Sequence, residues 1–238
     1  MNRKHIMLWL WLSTASLLTS CAQVPTAHVI QEKDYARVIR VACVGDSITF
    51  GSGISDREVN SYPAQLSRYL GKKWEVRNFG VGGTTLLKQG DRPYWNEGAY
   101  KQALAFVPDV VIIKLGTNDT KPQNWAYKDQ FTTDYVALIN SFKALGSRIW
   151  ICLPVPAFPE RWGISDKIIK NDAIPMIQDM AKQSSVPTID LYQVLANRRD
   201  LFPDQIHPNA EGAGVMARTI YTALTGRTVK AKPIATPR

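Results

Sequence analysis

Three residue types needed for acyl transfer occur once each in a usable arrangement. Ser47 lies in Gly45-Asp46-Ser47-Ile48-Thr49, where an apolar run ends at a glycine. A serine on such a turn keeps its hydroxyl exposed, but it needs a base to act as a nucleophile. The chain has three histidines. His5 sits in a leader-like N-terminus and His28 in a polar stretch, so elimination leaves His207. Asp204 stands three residues before it on a turn-forming segment, close enough to hold one ring nitrogen and leave the other free for the serine.

An oxyanion also needs donors, and three candidates follow apolar runs. They are the N–H of Ser47 itself, Gly80 in the glycine-rich segment 78–83, and the side-chain amide of Asn118 in Gly116-Thr117-Asn118-Asp119. Asp46 and Asp119 beside them read as acceptors that fix turns. Each motif alone has an ordinary structural meaning: a helix cap for Ser47, an Asx-turn for Asn118, a turn glycine for Gly80, a surface pair for Asp204 and His207. Their joint occurrence at successive strand ends is what carries weight.

The elements that must position them alternate. Short apolar, β-branched runs at 38–44, 74–78, 110–115, 148–153 and, more weakly, 187–191 read as strands. Helical periodicity covers 62–70, 131–145, 167–183 and 210–224, the last with Asn209 as its cap. Continuously apolar strands separated by helices indicate a parallel sheet covered on both faces, hence a three-layer α/β/α sandwich with five strands. Such sheets bind ligands beyond the carboxyl ends of their strands, where all three motifs fall.

The blocks GDSIT, NFGVGG, GTND and DQIH resemble, in order and spacing, those of the SGNH hydrolases, the GDSL-like esterases and lipases. The resemblance spans about residues 38–224. It implies a flavodoxin-like fold with strand order 2-1-3-4-5, a Ser-His-Asp triad of Ser47, His207 and Asp204, an oxyanion hole of Ser47, Gly80 and Asn118, and neither metal nor other cofactor. Ile48 stands where the family's leucine does, a conservative change. GTNDTKPQNW is similar to the carbohydrate-acetylesterase-like branch, including sialate- and xylan-type O-acetylesterases.

Residues 1–20 have a basic start, a 6–18 apolar run too short to span a bilayer comfortably, and Leu18-Thr19-Ser20-Cys21, similar to a bacterial lipobox. The expectation is an exported protein held in the bacterial cell envelope by a lipid on Cys21, with 21–36 as tether, 37–226 as the domain and 227–238 as a flexible basic tail. Ala22-Gln23 favours an outer-membrane address. The net charge of +9 is scattered rather than gathered into a stripe with aromatics, which argues against nucleic-acid binding. Cys43 and Cys152 lie in strand-like runs and read as buried thiols, with a bridge between them still open. No Cys or His spacing suits a metal. Oligomeric state is not legible.

Substrate contacts should come from the loops at 86–100, 121–128 and 154–165. These hold Trp95, Trp125 and Trp162, whose rings could stack on a sugar, and Asp46 beside the serine joins them as a candidate. Short-chain ester hydrolysis on an acetylated carbohydrate is the first reading, since no long apolar lid is present to bury an acyl chain. A lysophospholipase, lipase or thioesterase is the alternative within the chemistry. A non-catalytic glycan-binding lipoprotein is the alternative outside it.

Overall fold

The computed structural model describes residues 28–159 and 161–230; the leader and Cys21 lie outside them, as do Glu160 and residues 231–238. Five strands, β1 (Ile39–Gly45), β2 (Trp74–Gly80), β3 (Val110–Lys114), β4 (Arg148–Cys152) and β5 (Thr188–Ile189), form one sheet in the order β2-β1-β3-β4-β5. All its pairings are parallel. This is the predicted architecture and strand order.

The strands are apolar throughout because both faces are covered. Val41, Cys43, Val110, Ile112, Trp150 and Cys152 point into one core, which packs helices α2 (Tyr62–Leu70) and α6 (Ala210–Thr225). Ala42, Val44, Val111, Ile113, Ile149 and Ile151 alternate with them into the other. There α3 (Gly98–Ala105), α4 (Phe131–Lys143) and α5 (Ile174–Gln183) cover the sheet. The short helix α1 (Ser47–Phe50) follows β1 directly. Since β2 and β3 flank β1 and their connecting helices take opposite faces, a crevice opens beyond the ends of β1 and β3. The serine and GTND turns sit there.

The structure differs from the sequence reading in several places. β2 continues to Gly80, pairing it with Gly45, and β5 shrinks to two residues. α3 begins at Gly98, within the 86–100 stretch that reads as loop, and runs on to Ala105. The predicted 167–183 helix is helical but passes through a π turn at Ile169–Ala173. Pro175, with no N–H to donate, follows immediately and explains the irregular turn.

The segment 28–36 is not a free tether. Ile30 is buried and donates its N–H to Leu224 O at 2.8 Å, while Arg148 reaches His28 O and Lys73 reaches Tyr35 O. The domain therefore begins by residue 28. At the other end Arg227 pairs with Glu32 at 3.1 Å. Cys43 and Cys152 are both buried and free. Burial pushes the Cys152 thiol up to about 12 and Cys43 above the ordinary thiol range, so neither offers a thiolate near neutral pH.

Candidate active site

The Ser47 turn is built by close packing. A Cβ on Gly45 would lie 2.1 Å from Thr49 Oγ1 and 2.5 Å from Lys114 O, so only glycine lets β1 turn this sharply into α1. Asp46 caps α1: its Oδ1 accepts the Ile48 N–H at 2.9 Å. Its Oδ2 accepts from Lys114 Nζ at 3.0 Å, and the same ammonium donates to Thr117 Oγ1 at 2.6 Å. Both charged side chains are completely buried. Lys114 therefore bolts the serine turn to the GTND turn from beneath. Lysine inside the otherwise apolar run VVIIK was the sequence signal for it, and sequence reasoning passed over it.

His207 arrives on the segment before α6. Asp204 Oδ1 accepts the N–H groups of Ile206 and His207 at 3.0 and 2.7 Å, and Gln205 between them takes a left-handed φ of 77°. Asp204 Oδ2 lies 2.7 Å from His207 Nδ1, and His207 Nε2 lies 2.9 Å from Ser47 Oγ. With Nδ1–H donating to the carboxylate, Nε2 is free to accept the serine proton. Burial pushes the Asp204 carboxyl up, but the His207 backbone N–H, the His207 ring and the Ile206 N–H outweigh it. The group is held below its ordinary range as an anion. Asn209, as expected, caps α6 through Gly212 N at 3.0 Å.

The donors are distributed differently from the sequence reading. The Gly80 N–H is engaged by Asn78 Oδ1 at 2.9 Å, and a Cβ on Gly80 would fall 2.2 Å from Phe50 N. Gly80 is there to let β2 pack against α1, and its amide faces its own Asn78 rather than the serine. Two residues on, a Cβ built on Gly82 would sit 4.0 Å from Ser47 Cβ. The N–H groups of Gly82 and Gly83 have no hydrogen-bond acceptor among the described residues, nor has that of Ser47. Gly82, rather than Gly80, borders Ser47. Asn118 is buried and spends one amide hydrogen on Thr84 O at 3.0 Å, leaving the other.

Buried carboxylates hold this loop onto the GTND turn. Asp119 accepts Leu86 N at 3.1 Å and Leu87 N at 2.8 Å, and Asp134 accepts Lys88 N at 2.9 Å. Asn124 binds Asp91 and the Asn118 carbonyl. Asp119, fully buried, is pushed up to about 7 by desolvation against those two N–H bonds.

The candidate substrate residues separate sharply. Asp46 has both oxygens engaged below the surface and is out of a substrate's reach. Trp125 is buried edge-on against Phe131. Trp95 packs on Tyr100 and donates its indole N–H to Leu86 O at 2.8 Å. Trp162 alone among the three is exposed, at 53%, and its ring centroid lies 5.6 Å from that of His207. Among the described residues no group of three or more metal-ligating side chains is gathered, and no helix is long and apolar enough to cross a membrane.

Comparison with known proteins agrees with this fold. Residues 43–215 match the GDSL-like lipase/acylhydrolase family. The chain is 45% identical over 206 residues to an acetylxylan esterase of Xylanibacter ruminicola, covering 78% of this chain and 43% of that protein. It thus spans less than half of that relative's length. Among solved structures it resembles a carbohydrate acetylesterase from Sinorhizobium meliloti, with TM-score 0.63, 18% identity and coverage of 77% and 96% of the two chains. It also resembles the inhibitor-bound aryl esterase of M. smegmatis, with TM-score 0.64, 19% identity and coverage of 77% and 96%. The chain belongs to the GDSL-like lipase/acylhydrolase family, a family of carboxylic ester hydrolases.

Proposed function

We propose that this protein removes acetyl groups from acetylated carbohydrate, with a xylan-type glycan as substrate class, through an acetyl-enzyme on Ser47. The hydrogen-bonded series Asp204–His207–Ser47, with 2.7 and 2.9 Å links, carries the proposal. The similarity to an acetylxylan esterase supports the choice of ester.

In the first half-reaction Ser47 Oγ attacks the acetyl carbonyl carbon while His207 Nε2 takes its proton. The resulting oxyanion is met by the free amides of Ser47 and the Gly82-Gly83 segment and by the Asn118 side chain. Collapse breaks the bond to the sugar oxygen, which leaves with the proton from His207. Water then attacks the acetyl-enzyme, giving its proton to His207, and collapse returns that proton to Ser47 as acetate departs. Asp204 stays ionised throughout and stabilises the imidazolium. Export and a lipid on Cys21 belong to the same proposal and rest on the leader sequence.

The test is hydrolysis of p-nitrophenyl acetate, butyrate and octanoate and of acetylated xylan, beside Ser47→Ala and His207→Ala. Acetate turnover that falls with acyl length, and drops about 10⁴–10⁶-fold in either variant, is expected. A preference for octanoate, or undiminished turnover in Ser47→Ala, overturns it. Labelling with radioactive palmitate that persists in Cys21→Ala would refute the anchor.

A further inference from the structure

The geometry points to Trp162 as the platform that binds the sugar ring carrying the ester, stacking on its C–H face next to the catalytic histidine. This deepens, and rests on, the carbohydrate-esterase reading.

Trp162 is the most exposed large hydrophobic side chain among the described residues, at 53%, and it stands at the mouth of a polar site. Its backbone is strained: Trp162 has φ of 54°, the left-handed region that bulky residues avoid, and Gly163 follows at 77°. The strained turn is nonetheless held in place. Arg161 and Ile164 bridge across it, and Ser165 N donates to Thr120 Oγ1 at 3.1 Å. The Arg161 guanidinium sits 4.5 Å from the Trp162 ring centroid and donates to the Asp204 carbonyl at 3.1 Å, tying the tip directly to the catalytic turn.

The placement selects the leaving-group side. The indole and imidazole rings are 5.6 Å apart and inclined at 47°, so an alcohol receiving its proton from His207 Nε2 has the indole close by. The acyl carbon faces Ser47 and the glycine loop instead. A pyranose offers an apolar face of axial C–H groups that suits an indole, whereas a small alkyl alcohol offers little. Trp125 and Trp95 are packed inward and cannot substitute.

The test compares an acetylated xylo-oligosaccharide with ethyl acetate, which has no ring to stack, using the purified full chain and following acid release. The ratio of their kcat/KM values should fall about three- to tenfold in Trp162→Ala, mostly through KM, and be retained in Trp162→Phe. Equal loss on both substrates would mean the ring merely supports His207, and would overturn the subsite while leaving the esterase standing. Titrating Ser47→Ala with the oligosaccharide provides a readout independent of turnover. Tryptophan fluorescence should respond, and respond less when Trp162→Ala is added; an identical response in both proteins refutes the platform. Binding through Trp162 without hydrolysis by the wild type would instead sink the catalytic reading and keep the subsite.

Discussion

Replacing Lys114 by Met should cost far more than a typical core substitution, for an electrostatic reason. Methionine fits the volume of the lysine stem but removes the ammonium. Asp46 then keeps only the Ile48 N–H on Oδ1, and its Oδ2 faces a site from which both side chains are fully excluded from water. Breaking a buried pair by removing one partner costs about 3–5 kcal/mol, because the remaining charge is left uncompensated. The Thr117 hydroxyl loses its 2.6 Å donor as well. For a chain of this size each kcal/mol moves the melting temperature by about 2–4 °C, so a drop of roughly 6–20 °C is expected.

The companion substitution makes the reasoning refutable. Asp46→Asn retains an oxygen to cap Ile48 N while removing the charge, so Asp46→Asn/Lys114→Met should recover at least about 1.5 kcal/mol of the single variant's loss. Urea denaturation monitored by far-UV circular dichroism gives both numbers. A Lys114→Met protein within about 1 kcal/mol of wild type, or a double variant no more stable than the single, would show that the pair is not what joins the two turns.

Asp204→Asn should lower kcat by about 10⁴-fold at neutral pH, since an amide in place of Oδ2 no longer holds Nδ1–H and the wrong tautomer is favoured. Asp204 is depressed in the folded state, so its stabilisation is present above the unfolded carboxylate value near 3.9 and lost as pH falls through the folded one. The stability gap between wild type and Asp204→Asn, measured by thermal melts, should therefore narrow on acidification below about pH 4. Asp119 has the opposite sign: raised to about 7, it contributes fully below its unfolded value and loses that contribution as pH climbs through about 7. Melts from pH 4 to 8 should show this decline in the wild type and not in Asp119→Asn, which should also be weaker by about 1–3 kcal/mol at pH 4 from one unpaired loop N–H. Gly80→Ala should destabilise by more than about 2 kcal/mol, because the new Cβ meets Phe50 N at 2.2 Å. A stable Gly80→Ala enzyme with selectively reduced kcat would return Gly80 to the oxyanion role.

What the sequence disclosed and what it hid follow one division. The five-stranded parallel sheet, the capping of α6 and the juxtaposition of Ser47, Asp204 and His207 were legible because each depends on local residue type or on elimination among few candidates, whereas the strand order was what the resemblance to the SGNH hydrolases implied. Gly80 was assigned the wrong task because a glycine run does not say which member pairs in the strand and which borders the serine. That depends on β2 continuing two residues further than its apolar pattern. Trp95, Trp125 and Trp162 look alike in sequence, and only the packing around α4 and the 161–164 turn separates two inward-packed rings from one exposed ring. The 28–36 segment is polar enough to read as a tether, yet a single buried Ile30, its backbone bond to Leu224 and the Arg148 and Lys73 bonds to His28 O and Tyr35 O fasten it.

The pattern of fastening explains how the proposed catalytic geometry is held rigid on loops. Ile48, Leu115 and Ile206 anchor the turns beside Ser47, Asn118 and His207 in the two cores. To that grip Asp46, Asp119, Asp134 and Asp204 add side-chain oxygens that accept backbone N–H groups of these turns or of the neighbouring loop. Three of the four are buried, where such bonds are strong and their loss is costly. Only Asp204 remains partly open to solvent, and it alone must respond to charge forming on its partner. Burial elsewhere removes that freedom: an ammonium, or proton uptake near neutral pH, is needed where desolvation competes with backbone bonds, as at Asp46 and Asp119 respectively. Loop precision here depends on the ionisation of groups that never touch substrate, so structural and catalytic pH dependence should separate when Asp119→Asn and Asp204→Asn are measured side by side.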